Sequence, residues 1–205
     1  MNCLLCERRL QSLPSWQMLI AVEKTSLICD DCSKSFERVD IIEESNLLDR
    51  ITSIYTYNEA MREYLHQYKF LQDIALAGVF MNELRETINT HHTIIVPIPM
   101  HPIKKIERTF AHVEELLKTA DLPFDDILVK TDTAVMGEKT REERLSMAPL
   151  FQVKPYTTIR DTTYILVDDI YTTGTTLSHA AAALKEAGAT RVEAVTLIRA
   201  ETTKL

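Results

Sequence analysis

Glycine is scarce in this chain, with 4 among 205 residues, and no repeat or low-complexity tract occurs, which excludes repeat arrays and linker-like chains. No apolar run approaches the length of a membrane-spanning helix, so membrane insertion is not expected. A basic-then-apolar leader pattern is also missing at the N-terminus, and the expectation is a cytoplasmic, folded protein. Positive charge is in deficit. The net charge of −7 removes any broad electrostatic attraction to nucleic acid while leaving room for a local basic groove. Two nucleotide signatures are absent as well, the lysine-bearing P-loop and the Gly-x-Gly-x-x-Gly turn. What remains is ordinary for a soluble globular chain, 45% apolar and 26% charged. The length allows one medium domain with an appendage, or two small domains.

The chemistry concentrates in residues 164–176. Tyr164, Ile165, Leu166 and Val167 form a short apolar run that reads as a buried strand. It ends in two carboxylates, Asp168 and Asp169, followed by Ile170, Tyr171 and a hydroxyl-rich turn of Thr172, Thr173, Gly174, Thr175 and Thr176. From Leu177 an alanine-rich pattern predicts a helix, with Gly188 as its stop. Strand, tight polar loop and helix make a phosphate cradle, because backbone N–H groups at a helix start and the helix dipole both favour an anion. Gly174 permits a turn that a Cβ would resist, and the threonine hydroxyls add donors. Paired acids at a strand's carboxyl end face the ligand crevice of an open α/β sheet. There they can accept hydrogen bonds from two neighbouring hydroxyls, such as a ribose diol. The bland alternative is an ordinary strand-to-helix turn with a capped helix.

All four cysteines fall in the first 32 residues, as Cys3/Cys6 and Cys29/Cys32, with 22 residues between the pairs. Two Cys-x-x-Cys knuckles present four thiolates to one tetrahedral ion, the pattern of structural Zn²⁺. So small a piece cannot hold itself together by core burial, and metal binding would supply its folding energy. Redox pairs or plain buried thiols are the alternatives, and disulfides are disfavoured without a secretion signal.

Residues 33–49 are polar and acidic and predict a helix, with a domain boundary near 45. Residues 51–57 predict a strand. Asn58 is placed to cap a helix to about Lys69, and Asp73 another to about Thr90. In the first of these, Tyr64, Leu65 and Tyr68 are expected in the core and His66 and Lys69 on a solvated face. Residues 93–99 predict a second buried strand. It is followed by Met100, His101, Lys104, Lys105 and Arg108, a candidate second anion site, and then by a helix to about Ala120. Residues 127–130 predict a strand. The charged stretch 131–149, with Lys139, Arg141 and Arg144, reads either as a mobile loop closing over a leaving group or as a self-solvating helical turn. A last strand is expected at 192–199. Strands separated by helices argue for a mainly parallel twisted sheet.

The string from Val167 to Thr176 resembles the PRPP-binding motif of type I phosphoribosyltransferases. Together with the two Cys-x-x-Cys pairs, residues 95–99, Arg108, Phe110, Lys130, Glu143 and Arg144, it makes the whole chain similar to the ComF family, in particular its ComFC-like competence proteins. The resemblance implies an α/β fold of the type I phosphoribosyltransferase kind over residues 46–205, with a small zinc-ribbon-like domain at 1–45. It implies a PRPP site in which Asp168 and Asp169 hold the ribose and act in catalysis, and residues 172–176 bind the phosphate with Ile170 and Tyr171 as spacers. Met100, His101, Lys104 and Arg108 would lie near the pyrophosphate, which would carry Mg²⁺. A ComFA-like helicase and single-stranded DNA are the implied partners, in natural transformation. Where the family usually reads Arg-Gly-Phe-Asn-Gln, this chain has Arg108, Thr109, Phe110, Ala111 and His112. The ribose-phosphate motif is intact, so ligand binding is better supported than turnover. The expected function is that of a ComFC-like competence protein handling incoming single-stranded DNA in natural transformation, with a PRPP or ribose-phosphate site; an active phosphoribosyltransferase or a PRPP or nucleotide sensor is the alternative.

Overall fold

Strands buried on both faces carry apolar residues over most of their length, and the two longest strands among the described residues lie side by side in the main sheet. They are β6 (Thr163–Tyr171) and β7 (Arg191–Arg199), paired in parallel. The computed structural model describes residues 1–10, 26–101, 106–131 and 150–200. Before the central pair come α1 (Asp30–Lys34), β1 (Arg38–Glu43), β2 (Arg50–Thr56), α2 (Glu59–Lys69), a 3-10 helix (Ile74–Phe80), α3 (Met81–Thr87), β3 (Thr93–Pro97), α4 (His112–Thr119), β4 (Leu128–Lys130) and β5 (Phe151–Val153). Helix α5 (Thr175–Glu186) connects β6 to β7. The five-stranded sheet has the order β1-β2-β7-β6-β3, parallel except for β1, and β4 with β5 forms a separate antiparallel pair. The fold is α/β with a mainly parallel sheet, as expected. Among the described residues no helix is long and apolar enough to cross a membrane.

Side chains alternate across a strand, so each face of the sheet has its own core. Tyr164 and Leu166 pack with Leu177, Ala180, Ala181 and Leu184 of α5. The alanines let this helix lie close to the strands. Ile165 and Val167 face the other way, toward Tyr64 and Tyr68 of α2, Leu76, Phe80, Leu84 and Leu116. Burial of side chains this large contributes on the order of 2 kcal/mol each. Cys3, Ile28 and Phe36 belong to this second core, which joins the cysteine segment to the body. Gly78 marks a close approach there, since a Cβ would stand 2.5 Å from Leu27 Cδ1.

Several expectations hold. Asn58 caps α2, its Oδ1 accepting from the Met61 N–H at 3.0 Å, and Tyr64, Leu65 and Tyr68 are buried. The helix expected over 33–49 is a correction: α1 ends at Lys34, and 38–43 is strand β1, the sheet's edge. Phe36 turns into the core, and Val39, Ile41 and Ile42 suit a ladder with β2 better than a helix. The segment after Asp73 is also less regular than expected. Asp73 accepts from the Ala75 N–H at 3.2 Å, but a 3-10 helix precedes α3, with Gly78 weakening the α form. Strand β6 runs on past its acids to Tyr171, because β7 supplies a paired strand that far.

Candidate functional site

Asp168 and Asp169 are consecutive on β6, so the pleat starts their side chains in different directions, yet at this end of the sheet both reach one pocket. Asp168 follows the parity of Leu166, and its Oδ1 accepts from the Asp169 N–H at 2.9 Å. Asp169 follows Val167 toward α2, where Lys69 Nζ lies 2.5 Å from its Oδ2. Both partners of that ion pair are only 13% exposed. The expected solvated position of Lys69 is therefore a correction, while His66 is exposed as expected. The missed signal is spacing: Lys69 stands four residues after the buried Leu65, on the same helix face.

The two acids line a pocket of about 170 Å³ at the carboxyl ends of β3 and β6. Met100, Arg108, His112, Lys130 and Thr176 also contribute to its wall. Of the expected anion-site residues, Met100 and Arg108 thus meet the acids. His101 is not among the residues lining this pocket, and Lys104 lies outside the described residues, as do Lys139, Arg141 and Arg144. The Arg108 guanidinium lies over the Phe70 ring, 5.3 Å from its centroid.

Burial, then the neighbouring charge of Asp169, pushes the Asp168 carboxyl up to about 8. Burial thus works against a charge on Asp168 next to Asp169, and Lys69 is the partner of Asp169. His112 is 1% exposed. Its Nε2 has no hydrogen-bond partner, and its ring meets Tyr68 and Phe110 edge-on at 5.4 and 5.0 Å. Burial, then the cations of Lys69 and Arg108, brings this imidazole down to about 4. The departure from the family pattern at position 112 therefore lands in the wall of the pocket.

Beside the acids, the turn into α5 is built around Gly174, which is buried at φ +73. A Cβ there would lie 2.4 Å from Tyr171 Oη, so glycine is required both by backbone conformation and by space. No side chain caps α5. Its first N–H groups are left for another acceptor, with Thr172, Thr173, Thr175 and Thr176 exposed around them. Thr173 and Thr175 hydroxyls are hydrogen-bonded to each other at 2.9 Å. The two spacers play supporting parts. Ile170 packs on the core, and the Tyr171 ring lies under the Arg199 guanidinium at 4.0 Å.

At the other end of the chain, the sulfurs of Cys3, Cys6, Cys29 and Cys32 all lie within 4.8 Å of one another. A tetrahedral zinc with bonds of about 2.3 Å needs sulfurs about 3.8 Å apart, and Cys6 and Cys29 stand 3.6 Å apart. Burial disfavours the Cys3 thiolate, but N–H groups of Cys6, Cys29 and Leu5 outweigh it and bring the thiol down to about 6. Burial and the neighbouring sulfurs push Cys32 up. Four thiols so close cannot all ionise without a cation, so the donor set fits a metal ion such as zinc, with no ligand position left over.

Sheet, crevice and anion cradle define a class, and comparison agrees: residues 63–205 match the phosphoribosyl transferase domain. Over nearly its full length the chain is similar to two proteins named Competence protein ComFC. It is 31% identical to that of Streptococcus pneumoniae, covering 97% of this chain and 100% of the relative. It is 28% identical to that of Bacillus subtilis, covering 96% and 94%. The chain belongs to the ComFC-like family of phosphoribosyl transferase-domain proteins. Among solved structures it is similar to an allosteric regulatory enzyme of purine biosynthesis (17% identity, TM-score 0.39, 58% of this chain and 24% of that one). It is also similar to a hypoxanthine phosphoribosyltransferase from Staphylococcus aureus (18%, 0.36, 63% and 62%).

Proposed function

We propose that this competence-related protein binds PRPP or a related ribose phosphate in the crevice beside Asp168 and Asp169, and that it handles incoming single-stranded DNA during transformation. The observation that carries the ligand reading is the uncapped start of α5 at Gly174, adjoining a pocket lined by both acids. The 5′-phosphate takes the free N–H groups and threonine hydroxyls at residues 172–176. The ribose diol hydrogen-bonds to the two carboxyl groups. The pyrophosphate lies toward Met100, Arg108 and Lys130, where the cations offset its charge. Mg²⁺ would supply further charge neutralisation. Because Asp169 already has Lys69 as its partner, the ion fits best as a companion of the pyrophosphate.

Zinc at Cys3, Cys6, Cys29 and Cys32 would be structural, holding the N-terminal cysteine segment as the part that meets DNA and a ComFA-like helicase on the cytoplasmic side. The names of the relatives support the competence role. The test is calorimetric titration of PRPP with Mg²⁺ into the wild type and into Asp168→Asn/Asp169→Asn. Micromolar binding that vanishes in the variant is expected, and no binding to the wild type overturns the ligand reading. Pyrophosphate release in the same mixture, on adding a base or DNA, would extend the reading to a transferase.

A further inference from the structure

Two adjacent acids make a poor floor for a ligand that carries phosphates on both sides of its sugar. Their charge would oppose the ligand, and an unrestrained Asp169 could turn away from it. Helix α2 answers both difficulties. Tyr68, the residue before Lys69, is fully buried and donates its hydroxyl to the His112 carbonyl at 2.8 Å. Its ring stacks on Tyr64 at 5.7 Å. The last turn of α2 is thereby anchored to both the core and α4. Lys69 then extends to Asp169 Oδ2 at 2.5 Å, with both groups largely screened from water. A buried ion pair of this kind holds its partners in one geometry because neither charge can be left alone.

The contacts also divide the acceptors. Lys69 takes Oδ2 of Asp169, and the Asp169 N–H takes Oδ1 of Asp168. Each carboxyl group keeps one oxygen outside these two contacts, which matches a ligand presenting one hydroxyl to each acid. We propose that Lys69 is a positioning residue for the crevice: its ion pair fixes Asp169 so that the two acids together select a vicinal diol. This inference rests on the ribose-phosphate reading above. Lys69 acts through Asp169 and is not placed against the ligand.

The experiment compares three small probes in the full-length protein: inorganic phosphate, ribose 5-phosphate and 2-deoxyribose 5-phosphate. Each is titrated into wild type, Lys69→Met, Lys69→Arg, Asp169→Asn and the double variant Lys69→Met/Asp169→Asn, with folding checked by thermal melting. Wild type is expected to prefer ribose 5-phosphate over its deoxy analogue. Lys69→Met is expected to lose about tenfold for ribose 5-phosphate while holding inorganic phosphate within about twofold, and the double variant should bind no worse than Asp169→Asn alone. Lys69→Arg, which keeps the charge, should recover part of the loss.

Equal affinity of Lys69→Met and wild type for ribose 5-phosphate overturns the proposal. So does an equal loss for all three probes, which is the mark of a general electrostatic or folding role. If the wild type itself fails to bind ribose 5-phosphate, the underlying reading fails and takes the proposal with it. That outcome is distinguishable because it appears before any substitution.

Discussion

The cysteine cluster and the crevice both crowd groups that prefer to be negative, and they resolve the crowding differently. Four sulfurs lie within 4.8 Å of one another, a donor set that an added metal ion would balance. In the crevice the balance is internal. Asp169 is paired with Lys69, and burial with its neighbour's charge raises the Asp168 carboxyl. The first region gathers four ligands that fit a metal. The second pairs one of its acids with a lysine and buries the other.

The sharpest break in this comparison is metal removal. Structural zinc contributes on the order of 10 kcal/mol of folding energy, and Cys3 sits in the same core as Phe36 and Phe80. Wild type should carry about one zinc per chain by elemental analysis. Cys29→Ser should lose it, and limited proteolysis should then cut the first 34 residues while the sheet stays folded.

Next in size is Gly174→Ala. Left-handed backbone alone costs a residue with a Cβ about 1–2 kcal/mol, and the added methyl meets Tyr171 Oη at 2.4 Å. A lowered melting temperature and loss of phosphate binding are expected together, and the cysteine cluster should keep its metal.

The protonation of Asp168 gives a smaller, pH-dependent effect. Its carboxyl is raised from 3.8 to about 8 in the folded state. The folded protein therefore binds the proton more tightly across that range, and this group's contribution to stability falls as pH rises through it. Asp168→Asn should be more stable than wild type at pH 8–9, with the difference closing toward pH 4 in thermal melts. The imidazole of His112 works in the opposite sense. It is lowered from 6.5 to about 4, so its contribution is present above pH 6.5 and lost as pH falls toward 4. His112→Gln, which restores the residue usual in the family, should flatten the acid limb by a modest amount in the same melts.

Much of the molecule was legible residue by residue. The apolar run before Asp168, the scarce glycine at 174 and the alanine pattern after it mark strand, turn and helix because each is a local preference with a local cause. Asn58 was legible as a cap for the same reason. Position 33–49 misled because polar, acidic composition carries no period, and only the edge of β2 turned Arg38–Glu43 into a strand. Lys69 misled because a lysine's default is solvent, and the carboxylate that overrides it lies 100 residues further along the chain.

By itself the sequence determined the parts that depend on near neighbours: the spacing of the four cysteines, the order of apolar runs, the acids at a strand's end and the turn that requires Gly174. Tertiary structure decided which distant side chains meet them. It brought His112 from α4 and Lys130 from β4 to one pocket with Asp168 and Asp169, and Lys69 from α2 to the Asp169 carboxylate. The physical reason is range. Backbone conformation is set within a few residues, whereas charge compensation in a desolvated crevice depends on whichever groups packing brings within a few ångströms.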